Sequence, residues 1–130
     1  MKYLKSISGF GELRKLENVD KCLSIVLCNN ENDRLIENFC RDLVKSGCTK
    51  FICYGINSES VHDVIDDELI RENIQGITTW HVDETEEDVF ILIESLPEFS
   101  SCQSIIILSH PDSKDFLKQS ISNFSQLLGK

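Results

Sequence analysis

The stretch "CLSIVLCNNENDRLIENFCRDLVKSGCTKFICYGI", residues 22–56, decides the fold. It opens on a short apolar run rich in β-branched residues, "CLSIVLCN" (22–29), followed by the turn-like "NNEND". The next segment, "NDRLIENFCRDLVKSG" (32–47), sets Leu35, Ile36, Phe39, Leu43 and Val44 at helical spacing, with Gly47 placed as a C-cap. "KFICYGI" (50–56) is strand-like again. The connections are too short for an antiparallel excursion, so this is a β-α-β unit with parallel strands.

The same alternation continues downstream. "SESVHDVIDDELIREN" (58–73) is helical, with Val61, Val64, Ile65 and Leu69 on one side. "IQGITTWHV" (74–82) carries a β-branched run, and "TEEDVFILIESL" (85–96) opens on the helix-start pattern Thr85-x-x-Asp88, with Pro97 beyond its end. "SIIILSH" (104–110) is a fully apolar strand. "DSKDFLKQSISNFSQLLGK" (112–130) is a closing helix with Phe116, Leu117, Ile121, Phe124 and Leu128 in period. The expected fold class is therefore α/β: a three-layer α-β-α sandwich around a mostly parallel, four- to five-stranded sheet of the flavodoxin or Rossmann kind, in one domain spanning 1–130. Residues 1–20 fit either an edge strand over Tyr3 to Ile7 or a short helix over Glu12 to Leu16.

Charge is distributed unevenly. The formal net charge is −9 over 130 residues. Residues 59–98 hold thirteen Asp/Glu against the single base Arg71, whereas residues 1–58 hold seven acids and nine bases. Such a field repels nucleic acid and anionic membrane and attracts cationic partners. No apolar run approaches the length that spans a bilayer, and "MKYLKSISGFGELRK" lacks a continuous apolar h-region. Residence in the cytoplasm is expected. The six Cys show no C-x-x-C pair, and most lie in or beside apolar segments, which predicts reduced thiols used as small packing groups.

Parallel sheets gather their ligands at the carboxyl ends of the strands. Here those ends carry Asn29-Asn30, Tyr54-Gly55, Trp80-His81-Asp83 and His110-Asp112, with His62 in the first turn of the following helix. His62-Asp63, His81-x-Asp83 and His110-x-Asp112 are ligand types used by Zn, Mn or Fe, yet no spacing such as His-Glu-x-x-His fixes two of them to one helix face. A small metal-dependent hydrolase, or a ligand-binding regulatory domain, using His62, Asp63, His81 and His110 is thus one of two expected functions, the other being capture of a basic protein. The turn "CNNENDR" has no Gly to cradle a phosphate, so no nucleotide cofactor is expected. Cys28 and Cys53 lie in core-strand patterns, where a thiol is inert as a nucleophile.

The acidic segment is the stronger lead. On the helix 58–73, Glu59, His62, Asp63, Asp66 and Asp67 recur at spacings of three and four and form one stripe. The following loop adds Asp83, Glu84, Glu86, Glu87 and Asp88 beside Trp80, the only Trp of the chain. A merely soluble surface mixes signs, and this one does not. Carboxylates beside an aromatic anchor suit capture of a basic protein, such as a nuclease whose active site is positive to hold phosphate. The expected contacts are Glu59, Asp63, Asp66, Asp67, Asp83, Glu84, Glu86 and Glu87, with Trp80 and Tyr54 as packing anchors.

In size, acidity and character the chain resembles the small immunity proteins of bacterial contact-dependent growth inhibition and related polymorphic toxin systems. That resemblance implies an inhibitor of a cognate toxin, with no chemistry and no cofactor of its own. Residues 54–93 also resemble a group of uncharacterised bacterial α/β proteins with a His-Asp helix start and a "TTWH" strand end, carried here by His62, Asp63, Asp66, Thr78, Thr79, Trp80 and His81. This second resemblance implies no activity.

Overall fold

The computed structural model describes residues 3–7, 19–29, 34–102, 104–110 and 114–128. Its five strands are β1 (Tyr3–Ile7), β2 (Cys22–Leu27), β3 (Lys50–Tyr54), β4 (Ile77–His81) and β5 (Ser104–Leu108). They form one sheet in the order β1-β5-β2-β3-β4, and every neighbouring pair is parallel. The helices are α1 (Arg34–Lys45), α2 (Ser58–Arg71), α3 (Glu86–Ser95), the single turn α4 (Pro97–Ser100) and α5 (Lys114–Leu128). The strand expected over Tyr3 to Ile7 is present as an edge strand beside β5. The helical option over Glu12 to Leu16 lies outside the described residues.

Two apolar clusters divide the molecule into three layers. On one face, α1 and α2 bring Ile36, Phe39, Leu43, Val61 and Ile65 onto Val26, Phe51, Cys53, Ile106 and Leu108. On the other, Val89 and Ile93 of α3, Phe99 of α4 and Phe124 of α5 cover Leu23, Ile25, Ile52, Tyr54, Ile105 and Ile107. Alternation along β2, β3 and β5 sends successive side chains to opposite clusters, as a strand covered on both faces requires. This is the three-layer α-β-α sandwich that the alternating pattern predicts. All six Cys are buried free thiols. Among the described residues no helix is long and apolar enough to cross a membrane.

Local signals set the helix ends. Gly47 (φ 106°) closes α1: its N–H reaches the Val44 carbonyl at 3.0 Å while the Cys48 N–H reaches that of Leu43 at 2.9 Å. That pair of bonds is a Schellman cap. Asn73 (φ 54°) repeats it after α2, with Ile74 bonded to Leu69 at 2.9 Å. A left-handed residue stops a helix, so α2 ends at Arg71 rather than at residue 73. At the start of α3, Thr85 and Asp88 form the expected capping box, with the Thr85 N–H on Asp88 Oδ2 at 2.9 Å. Pro97, at the first position of α4, supplies no N–H and begins a new turn instead of extending α3.

Candidate protein-binding site

In a parallel sheet each helix begins at the carboxyl rim and runs back to the amino rim. The N-terminal half of α2 therefore stands beside the last residues of β3 and β4. A tight turn fixes that junction. Gly55 (φ 120°) sits where a Cβ would lie 2.8 Å from the Cys28 carbonyl oxygen, and the Asn57 N–H donates to that same oxygen at 2.8 Å. The turn is thus tied to the end of β2, which leaves Ile56 pointing outward with 70% of its surface exposed.

The centre of the site is an aromatic stack. His62 of α2 and Trp80 of β4 lie with ring centroids 4.5 Å apart and planes inclined at 51°. Carboxylates hold the imidazole from both sides: Nδ1 is 3.1 Å from Asp63 Oδ1, and Nε2 is 3.3 Å from Asp66 Oδ2. His62 is largely covered, so its ring acts as a shelf for the indole, which stays 45% exposed. Beyond Trp80, Val82 is 43% exposed and is followed at once by exposed Asp83 and Glu84. Ile56, Trp80 and Val82 are thus exposed apolar side chains at the carboxyl ends of β3 and β4, with Asp63 and Asp66 on the His62 beneath the indole and Asp83 directly after Val82.

Among the described residues, Glu59, Asp63, Asp66, Asp67, Asp83, Glu84 and Glu87 have no Lys or Arg within ion-pair distance. The partners these carboxylates do have are imidazoles: His62 for Asp63 and Asp66, His81 for Glu84. Lys45 and Arg71 pair instead with Glu68, at 3.7 Å and 3.0 Å. Glu68 is buried, seven residues after Val61 and so on the same helical face. That spacing alone marks it as the one acid of α2 turned toward the core.

Two expected contacts are corrected. Tyr54 faces the α3–α5 layer, is 3% exposed, and packs edge-on against Phe124 at 6.1 Å. Its hydroxyl donates to Ser120 Oγ at 2.7 Å, and burial pushes its pKa well up. It is a core residue and offers no ring to a partner. Glu86 is half-buried, accepting from Ser120 Oγ at 3.1 Å and lying 3.5 Å from the Tyr54 hydroxyl, so its carboxylate belongs to this internal network. The period-2 rule carries the reason for Tyr54: Ile52 and Tyr54 share a face, whereas Cys53 and Trp80 are register partners on the other.

The three imidazoles do not converge. His81 projects to the face opposite Trp80, bonded to Glu84 and 3.0 Å from Thr79 Oγ1, where Asp88, Ile91 and Leu92 line the same depression. His110 follows β5, separated from β4 by β2 and β3. Asp112 lies outside the described residues. Among the described residues no three His, Cys, Asp or Glu side chains are grouped so as to hold a metal ion. The strand order reverses between β2 and β5, whose following helices pack on opposite faces. At that switch point Ser109 is buried, with no partner for its Oγ among the described residues. Burial likewise raises the Cys48 thiol to about 11 and the Cys53 thiol well above its ordinary range. Such thiols are poor nucleophiles at neutral pH.

Fold and surface together define an α/β domain with an acidic, Trp-centred rim. The chain belongs to the family described as a domain of unknown function (DUF7684), which it matches over residues 1–121. No curated protein and no solved structure matches it.

Proposed function

We propose that the chain is an immunity-type inhibitor that binds and neutralises a basic toxin domain, a nuclease foremost, in the cytoplasm of a bacterium with a contact-dependent or polymorphic toxin system. The observation that carries this reading is Trp80, 45% exposed and stacked on His62, beside carboxylates that have no Lys or Arg within ion-pair distance among the described residues. Leaving a large aromatic in water forgoes burial of its apolar surface, and crowding like charges around it costs more. Both costs are recovered when a cationic surface closes over the rim. Opposite charge steers the encounter and the indole then supplies the packed centre, where truncating a Trp typically costs 2 kcal/mol or more of binding. An anionic rim occupies a phosphate-binding cleft as a mimic of its substrate, without any reaction.

Co-expression with the protein encoded by the adjacent reading frame tests this. The proposal expects restored growth and a stoichiometric complex that weakens steeply with salt. A chain that neither rescues growth nor forms a complex, but turns over a substrate with a His62-dependent rate, contradicts it.

A further inference from the structure

We infer that the partner docks by adding a strand to the free edge of β4, an inference that rests on the basic-partner reading above. β4 ends the sheet and pairs with β3 alone. The Ile77 N–H donates to the Thr49 carbonyl at 2.8 Å, and the His81 carbonyl accepts from the Gly55 N–H at 3.0 Å. In a parallel ladder the residues that bond one neighbour alternate with those whose backbone groups point the other way. Ile77, Thr79 and His81 therefore face β3. The N–H and C=O groups of Thr78 and Trp80 point out of the sheet, and no described element supplies them with partners.

An open edge is a template for another chain, and proteins normally guard it with charge, proline or a bulge. The β1 edge carries Lys5 within its five residues. β4, "ITTWH", carries none of these guards, and Ile77, Thr78, Thr79 and Trp80 all favour strands. Its register with β3 runs unbroken from Ile77 to His81.

Charge selects the occupant. Trp80 leans toward α2, where Asp63 and Asp66 flank His62, and Asp83 follows at the strand's end. An extended segment with Lys or Arg at alternate positions would set its cations on this α2 side while its backbone pairs with Thr78 and Trp80. Its side chains would also meet the indole as cross-strand neighbours. A second copy of the chain fits poorly. Pairing β4 with β4 brings together two segments that each hold thirteen acids and one base.

The test uses the full chain, isotope-labelled, with a short peptide of alternating lysine and threonine and its counterpart N-methylated at every residue. The second peptide keeps the charge and loses every backbone donor. The inference expects the first peptide to bind and slow hydrogen exchange at the Thr78 and Trp80 amides, with Thr79 and His81 already protected. It expects the N-methylated peptide to bind about ten-fold more weakly or worse. Equal binding of both peptides, without new protection at Thr78 and Trp80, overturns strand addition while leaving charge recognition standing. Binding of neither overturns both. A dimer in sedimentation with Thr78 and Trp80 protected in the absence of peptide assigns the edge to a second copy and overturns the inference as well.

Discussion

Replacing the bases around Glu68 should cost more stability than replacing Glu68 itself. The carboxylate is 1% exposed, with Arg71 at 3.0 Å from Oε2, Lys45 at 3.7 Å from Oε1, and no hydrogen-bond donor on Oε1. At an effective dielectric of about 20, unit charges at these separations attract by about 4–6 kcal/mol each. Lys45 and Arg71 are 56% and 68% exposed, so solvent screening removes a large part of that. Against the remainder stands a desolvation cost of several kcal/mol for the buried carboxylate. The net value of the cluster is therefore near zero, whereas the carboxylate without its cations is a strong liability. Lys45→Ala with Arg71→Ala should lower stability by about 2–4 kcal/mol, and Glu68→Met, which fills the same volume, should change it by less than about 1 kcal/mol. In urea unfolding the difference would appear as a shift of midpoint at constant slope, and in melting as roughly 3–5 °C per kcal/mol. If Glu68→Met cost more than loss of both bases, the carboxylate would be a net stabiliser and this electrostatic account would be wrong.

Two further outcomes follow from the core and the turns. A thiol whose folded pKa lies above its unfolded value holds its proton more tightly in the native state, so its contribution is complete below that unfolded value and gone above the folded one. For Cys48, raised from 9.0 to about 11 by burial, about 2–3 kcal/mol should disappear between these limits. Melts from pH 8 to 11 should show this fall and Cys48→Ala should make it shallower, the remainder coming from buried Cys53 and Tyr54, while an unchanged slope in the variant would refute the assignment. Gly55→Ala should destabilise by about 2–4 kcal/mol, because its φ of 120° is strained for any side chain and the new Cβ meets the Cys28 carbonyl. Gly47→Ala, with φ 106° but open space around it, should cost only about 1 kcal/mol. Equal urea midpoints for the two glycine variants would remove the steric argument for the β3–α2 junction.

The layers were legible in the sequence because two periodicities alternate cleanly there. Ile36, Phe39, Leu43 and Val44 could face a core only as a helix, and Ile105 to Leu108 are apolar at every position because β5 is covered on both sides. Gly47 and the Thr85–Asp88 box marked two helix ends for reasons of backbone geometry. The strand order left no such trace, since period and composition do not say which strands are neighbours. For the site, the α2 stripe of Glu59, Asp63, Asp66 and Asp67 followed from helical spacing. The His62–Trp80 stack did not, because it joins residues of different elements across the α2–β4 contact. Tyr54 misled because its position at a strand end hid which face it takes. Ile56 and Val82 resembled ordinary core residues in the sequence, and only the Gly55 turn and the end of β4 turn them outward.

The most direct measurement reverses charge at two places by equal amounts. Asp63, Asp66 and Asp83 border Trp80. Glu72, Glu94 and Glu98 are exposed acids near the amino rim, at the last turns of α2 and α3 and the start of α4. Changing either trio to Lys alters net charge equally, and affinity for the basic partner can be read by calorimetry at fixed salt. Loss of about a hundred-fold or more for the Asp63/Asp66/Asp83 reversal, with less than about five-fold for the other, is the expected result. Equal losses from the two trios would mean that bulk charge alone attracts the partner, and that the surface around Trp80 is not where it binds.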